Sequence, residues 1–237
     1  MKGRLIKLTF FGMFLFVINI CNVSAATISV DISWGSLSYD YLETWNPNTH
    51  QYDFVGWELT NENADRIIVT NNSDVKLNAH FGWELDSSQT TSSILGVFKD
   101  NSNNNITNKN LIAKNGNTVD SATAYLNLSG TPNNHRSLNE SIIGKVTVTI
   151  SALIITFNPN GGTVDRTECY YFSNELVGSL PVPTRAGKIF TGWWTAIDGG
   201  TQVDSNTSVG ITSKTIYAHW IDRIVNNIEV EQHKSNN

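Results

Sequence analysis

The first half of the chain is a series of short segments in which apolar and polar residues alternate. From Ile28 to Trp34, every second residue is apolar and those between are Ser or Asp. A period of two predicts a strand with one buried face. Clusters of Asn, Asp, Ser and Pro separate these segments, as turns do. The same alternation recurs in four apolar sets: Leu37, Tyr39 and Tyr41; Val75, Leu77, Ala79 and Phe81; Ala124, Leu126 and Leu128; Val146, Val148 and Ile150.

These segments predict an all-β fold for the first part of the chain. Weaker segments included, seven or eight short strands are expected, with turns between them and no convincing helical period. Such spacing is typical of a β-sandwich, and we expect an immunoglobulin-like sandwich over residues 26–151. Only its architecture is immunoglobulin-like, because no cysteine pair is available to bridge the sheets.

The N-terminus has the composition of a secretory signal peptide. A basic start is followed by the apolar run "LTFFGMFLFVINI" and by the small residues of "NVSA". We expect residues 1–25 to be removed by cleavage after Ala25. The run is shorter than the ~20 residues that a spanning helix needs, which argues against a retained membrane anchor. Lipid attachment at Cys21 is disfavoured because a bulky residue precedes it. The basic residues are Lys2, Arg4 and Lys7.

Removal of this leader, residues 1–25, changes the charge and the cysteine count. The formal charge moves from −5 to −8, because the leader carries three basic residues and no acidic one. An acidic chain without a basic cluster argues against nucleic acid and anionic membranes as partners. Cys169 is then the only cysteine, and we interpret it as a buried small hydrophobe. An export route without a disulfide framework favours a secreted bacterial protein.

A second unit is expected over residues 153–220, where the strand-like segments "LIITF", "KIFTGWWT" and "KTIYAHW" carry a spaced set of motifs. This unit resembles the Listeria–Bacteroides repeat, the internalin B-repeat type, over about 66 residues. The resemblance implies a small, strongly twisted, β-grasp-like sheet. The polar tail, 221–237, lies outside it. The matching positions are Phe157, Asn160-Gly161-Gly162, Leu180-Pro181, Pro183-Thr184-Arg185, Gly187, Phe190, Gly192-Trp193, Gly199-Gly200 and Tyr217-Ala218-His219-Trp220.

Two adjacent tryptophans in "FTGWWTAIDGG" raise the question of which is core and which is surface. Successive residues of a strand point to opposite faces, so Trp193 and Trp194 cannot share one core. We expect Trp193 to be buried near Phe190 and Trp220, because a unit this small has little other apolar volume. Trp194 is then left on the opposite, partly exposed face.

The N-terminal part carries weaker resemblances. Its segments "WGSLSYDY", "TWNPNTHQY" and "GKVTVTIS" look like an extracellular domain of exported Firmicutes proteins, which implies no known activity. The two Gly-Trp-Glu-Leu copies, 56–59 and 82–85, resemble Trp-x-Leu cell-wall-binding motifs. They lie in mid-chain about 26 residues apart, and we interpret them as strand aromatics.

No catalytic constellation stands out. The five histidines show no metal-ligand spacing, and there is no nucleophile elbow or phosphate loop. We therefore expect no catalytic residue, metal or cofactor. Paired carboxylates for glycoside hydrolysis depend on three-dimensional distance, which leaves a hydrolase as an alternative with Glu43, Glu58 and Glu84 as candidates.

Together these patterns predict a secreted or cell-surface-associated protein that binds or spaces without catalysis. The expected partner is a cell-wall or host-surface glycan or protein, with no membrane span after cleavage. Trp45, Trp57 and Trp194 are candidate ligand contacts. The alternatives are a carbohydrate-active hydrolase or carbohydrate-binding protein and a structural envelope or matrix subunit, and the oligomeric state stays open.

Overall fold

The chain is all-β, as the alternation predicts. The computed structural model describes residues 4–9, 17–19, 28–89, 92–132 and 142–224, the first two ranges as backbone alone. Throughout these ranges the regular elements are strands, apart from one 3-10 turn. Nowhere in them does a helix reach the length and hydrophobicity needed to cross a membrane. The chain divides into two compact units between Ala152 and Leu153.

Unit 1, up to Ala152, is built from eleven strands within the described residues and a 3-10 turn at Ser87–Gln89. Only the backbones of the first two strands are described. The strands are β1 Arg4–Thr9, β2 Val17–Asn19, β3 Val30–Trp34, β4 Ser38–Asn46, β5 Gln51–Leu59, β6 Arg66–Asn71, β7 Leu77–Leu85, β8 Leu95–Lys99, β9 Asn108–Leu111, β10 Asp120–Ser129 and β11 Gly144–Ser151.

Three sheets organise these strands. Two have four strands each, in the orders β3-β6-β10-β8 and β2-β11-β7-β9. The third has the order β1-β4-β5. All pairings in unit 1 are antiparallel except that of β2 with β11, which is parallel. Two four-stranded sheets with apolar inner faces are the architecture of a sandwich.

The core of unit 1 comes from every second residue of the central strands. Ile67 and Val69 of β6 and Ala124 and Leu126 of β10 are buried, and so are the first three alternate residues of β7 and all four of β11. The rings of Phe81 and Phe98, from the two four-stranded sheets, lie 5.7 Å apart. Burial of one face per strand is what fixes each register, since a slip of one residue would expose the whole apolar set.

The third sheet holds a long ribbon formed by β4 and β5. Its hairpin turn is anchored by the Asn46 side chain, whose Oδ1 accepts a hydrogen bond from the Asn48 backbone N–H at 2.9 Å. At its base, the Tyr39 hydroxyl donates to the Leu126 carbonyl of β10, and Trp57 Nε1 donates to the Gly130 carbonyl at 2.9 Å. The base is therefore tied to the sandwich through two aromatic side chains.

Unit 2, from Leu153, is one five-stranded sheet in the order β13-β12-β16-β14-β15. The pair β12 and β16 is parallel and the other pairs are antiparallel. One face carries a core of Ile155, Phe157, Trp193, Ile216 and neighbouring side chains. The strands are β12 Leu153–Asn158, β13 Glu168–Tyr171, β14 Lys188–Trp194, β15 Gln202–Val203 and β16 Lys214–Asp222.

The two ends of the chain extend beyond the described residues. The expected cleavage site at Ala25 lies outside them, and so do residues 225–237 of the expected tail. Within the expected leader, β1 pairs with β4 and β2 pairs with β11. The last strand, β16, continues two residues beyond the expected end of unit 2 at 220, as far as Asp222.

Candidate functional site

The adjacent tryptophans of β14 lie on opposite faces of the unit 2 sheet. Trp193 is only 1% exposed, and its ring lies 5.1 Å from Phe157 and 5.6 Å from Phe190. The Trp193 indole N–H donates to the Pro181 carbonyl at 2.8 Å, which satisfies the one polar atom of the side chain. Trp220 joins the same cluster through Phe190, at 5.6 Å. The predicted core role of Trp193 is confirmed.

The Asn-Gly-Gly turn is held by residues distant in sequence. Asn160 and Gly161 both have positive φ angles, and Asn160 donates through Nδ2 to the Ala218 carbonyl. Arg185 Nη1 donates to the Asn160 carbonyl at 2.8 Å, and Trp220 Nε1 donates to Pro159. A Cβ on Gly162 would stand 2.7 Å from the Trp220 ring, so only glycine fits there. These motif residues are therefore needed for the fold.

On the other face of the sheet, Trp194 stacks on a histidine. Its ring is parallel to that of His219 within 8°, with centroids 4.9 Å apart. His219 Nε2 lies 2.9 Å from the Ala196 carbonyl and donates to it. The Trp194 indole N–H is buried and, among the described residues, has no hydrogen-bond partner. Trp194 is half-buried, which agrees with the partly exposed position expected from the sequence.

Among the residues whose side chains the structure describes, the largest group of exposed aromatic side chains lies on one face of the β4–β5 ribbon. The register pairs Trp45 with Tyr52 and Glu43 with Phe54, which puts their side chains on one face. Trp45, Tyr52 and Phe54 are 38%, 37% and 38% exposed. The rings of Trp45 and Tyr52 lie 5.2 Å apart, edge to face. We call Trp45, Tyr52 and Phe54 the aromatic strip.

Behind the strip, Tyr41 continues the same face into the interior. Its ring stacks on Phe54 at 5.0 Å and meets Trp57 edge to face at 5.1 Å. Burial, with the nearby Glu43 carboxylate, raises the pKa of the Tyr41 hydroxyl to about 12. The aromatic strip therefore rests on a buried ring that holds Phe54 in place.

The tryptophans of the two Gly-Trp-Glu-Leu copies serve packing. Trp57 is half-buried and its N–H is taken by Gly130, so only part of its ring is open to a ligand. Trp83 covers two glycines, since a Cβ on Gly96 or Gly144 would stand 2.5 Å or 2.2 Å from its ring. Their interpretation as strand aromatics agrees with both positions.

The candidate carboxylates are not brought together. Glu43 is buried on the aromatic face of the ribbon, whereas Glu58 pairs with Asp40 on the opposite face. Glu84 belongs to β7 in another sheet, where its Oε2 lies 3.7 Å from Lys145 Nζ. No two of these three glutamates share a face of one sheet.

Two other acidic residues line an open depression of about 480 Å³ in unit 1. Burial raises the pKa of the Asp65 carboxyl, whereas hydrogen bonds from Asn104 and Ser102 hold the pKa of Asp100 below its usual range. The lining residues are too far apart in the sequence to form a motif, so this site could not be predicted from the sequence. The lining is completed by Lys99, Asn101, Asn103, Tyr125 and Asn127.

Metal-binding and thiol chemistry receive no support within the described ranges. No three His, Cys, Asp or Glu side chains in them form a group able to hold a metal ion. Cys169 is half-buried, pairs with Ile155 across β12 and β13, and packs against the unit 2 core. Its surroundings are those of a small core hydrophobe.

The fold and these surfaces define an all-β protein with a sandwich unit, a small mixed-sheet unit and an exposed aromatic strip. Residues 154–219 match the model of the Listeria-Bacteroides repeat domain, which confirms the resemblance in the C-terminal part. Such repeats are typical of surface and extracellular bacterial proteins. No curated protein matches the chain.

Proposed function

We propose that the protein is secreted or held at the bacterial surface, where it binds a glycan or protein without catalysis. The export signal of the sequence and the matched repeat support this location. In this proposal unit 1 presents the binding surface and unit 2 serves as a spacer module. The β-grasp-like arrangement belongs to the same proposal, and the mixed five-stranded sheet of unit 2 supports it.

The observation that carries the proposal is the aromatic strip. Three large apolar rings, each more than a third exposed, lie together on one ribbon face. Exposed clusters of this kind mark binding surfaces, and Trp and Tyr are enriched among the residues that dominate binding energy. Hydroxyl-rich ligands also need polar partners, and the Tyr52 hydroxyl, on the same face as the two other rings, supplies a donor and an acceptor. A glycan therefore fits this surface best.

Retention of the full chain on cell-wall glycan and on host-surface glycans tests the proposal. We expect retention on at least one of them, and we expect Trp45→Ala and Tyr52→Ala each to reduce it strongly. Val182→Ala is the matched control, because this apolar side chain is highly exposed but belongs to unit 2. No retention on either material, or equal loss with Val182→Ala, would contradict the proposal.

The depression around Asp65 favours a carbohydrate-active hydrolase as a second candidate. Two carboxyl groups with pKa values pushed apart are the arrangement of an acid and a base. The Asp100 carboxylate is, however, already hydrogen-bonded within its own loop, because its Oδ1 accepts hydrogen bonds from the backbone N–H groups of Ser102 and Asn104. Release of reducing ends from cell-wall glycan, abolished by Asp65→Asn, would establish this candidate in place of the binding role.

A further inference from the structure

The outer edge of β4 is covered by a strand that belongs to the expected leader. In the order β1-β4-β5, β1 is the outer strand and pairs antiparallel with residues Ser38 to Glu43 of β4. Removal of residues 1–25 would leave β4 and β5 as a two-stranded ribbon with this edge open. A two-stranded ribbon is marginally stable in water, and an open edge readily accepts another strand.

The charges of the ribbon restrict which strand this edge accepts. From Ser38 to Leu59 the sequence has four acidic residues and no Lys or Arg. Asp40 lies directly opposite Glu58, and like charges in that position are destabilising. The Asp40 Oδ1 atom is also buried without a hydrogen-bond partner among the described residues. The edge therefore favours a strand that places a cation beside Asp40.

The strand present on this edge carries basic residues at the matching positions of the register. In the register of β1 and β4, Lys7 lies opposite Asp40 and Arg4 lies opposite Glu43. Aliphatic residues occupy the positions opposite Tyr41, Leu42 and Tyr39. The pairing thus defines a recognition pattern of two basic residues, three positions apart, with aliphatic residues between and after them.

We propose that the edge of β4 from Ser38 to Glu43 is a docking site for a basic, extended segment of a partner polypeptide. The segment adds to the ribbon as a third, antiparallel strand, with main-chain hydrogen bonds for affinity and Asp40 and Glu43 for specificity. The residues of this site differ from those of the aromatic strip, and the two adjoin at Glu43, which lies opposite Phe54. It depends on the proposed export only because leader removal is what vacates the edge in the natural protein.

The test uses the full chain and a synthetic peptide with the sequence of residues 2–10. Ile6→Pro with Lys7→Pro in the chain removes two adjacent strand N–H groups and so displaces β1 without any cleavage. We expect this double variant to bind the peptide at least tenfold more tightly than the unsubstituted chain. A peptide with Lys7→Glu should bind the double variant with about tenfold lower affinity. Asp40→Lys, added to the double variant, should restore the binding of this peptide.

Orientation provides a second readout. A quencher at the N-terminus of the bound peptide should reduce Trp45 emission, because antiparallel pairing puts Arg4 beside Glu43, near Trp45. The same quencher at the C-terminus should not, and Trp45→Phe should abolish the effect. Absence of peptide binding by the double variant, or binding indifferent to peptide charge, would overturn the proposal.

Two further outcomes are informative. If the double variant self-associates through the vacated edge and the peptide competes with this association, the natural occupant of the edge is a second copy of the chain. This outcome would also overturn the proposal. Retention on glycan, measured on the same preparation, reports separately on the aromatic strip. The docking site and the proposed glycan-binding function can therefore fail independently of each other.

Discussion

Replacement of the two adjacent tryptophans by alanine should separate core from surface in unit 2. Trp193→Ala removes a buried indole with two ring contacts and a hydrogen bond, a change that costs about 3–5 kcal/mol. Trp194→Ala removes a half-buried ring that stacks on His219, and this stacking is worth about 0.5–1.5 kcal/mol beyond the partial burial that is lost. A unit of this size has a total stability of roughly 4–11 kcal/mol. The first variant therefore loses much of it, while the second stays folded.

Thiol labelling of Cys169, in a chain whose other cysteine is replaced by Cys21→Ser, measures this difference in unit 2 alone. Cys169 packs against the unit 2 core, so its labelling in increasing urea reports unfolding of that unit. We expect the two free energies of unfolding to differ by at least about 2 kcal/mol, which is roughly 30-fold in the unfolded fraction. Trp193→Phe should be intermediate, because it keeps a ring but leaves the Pro181 carbonyl unpaired. Equal costs for the two alanine variants would refute this division of roles.

Two more predictions follow from packing and from charge. Gly144→Ala should destabilise unit 1 by about 1–3 kcal/mol in a urea titration, because the added Cβ would meet the Trp83 ring. Gly56→Ala should change the free energy of unfolding little, because a Cβ there would have no neighbouring atom within 4 Å. Asp65 has a raised pKa, so the native state binds its proton more tightly and loses stability as pH rises through the folded pKa. Asp65→Asn should therefore melt higher at neutral pH, with a gain that shrinks as pH falls through the folded pKa and is gone below the unfolded pKa of about 3.9; a gain that is the same at every pH would contradict it.

Strands with one buried face could be predicted from sequence. The apolar sets beginning at Leu37, Val75, Ala124 and Val146 are buried in the structure, and each lies in or beside a strand. Alternation is a reliable signal here because the sandwich buries one face of each strand and leaves the other in water. The burial of Trp193 followed from the same rule of opposite faces.

Strand β5 could not be predicted, for a physical reason. Its aromatic residues stand at Tyr52, Phe54 and Trp57, so the spacing changes from two to three. The structure explains the change by a bulge at Val55, where the register shifts between Leu42 and Glu43 of the partner strand. A pattern search with a fixed period of two misses such a strand and, with it, most of the aromatic strip.

The candidate sites depended on contacts that the sequence does not encode locally. Trp45 was identified as a candidate, but its neighbours Tyr52 and Phe54 are revealed only by the ribbon register. Asp65 and Asp100, which are 35 positions apart in the chain, line the same depression. Trp194 loses part of its surface to His219, a residue 25 positions later.

The aromatic strip is tested most directly by titrating the chain with the glycan that retains it. Isothermal titration should give a dissociation constant that rises at least tenfold in Trp45→Ala with Tyr52→Ala, about 1.4 kcal/mol or more of binding free energy. Unit 1 should stay folded in this variant, because both side chains are more than a third exposed. An unchanged dissociation constant in this double variant would contradict the assignment of binding to the aromatic strip.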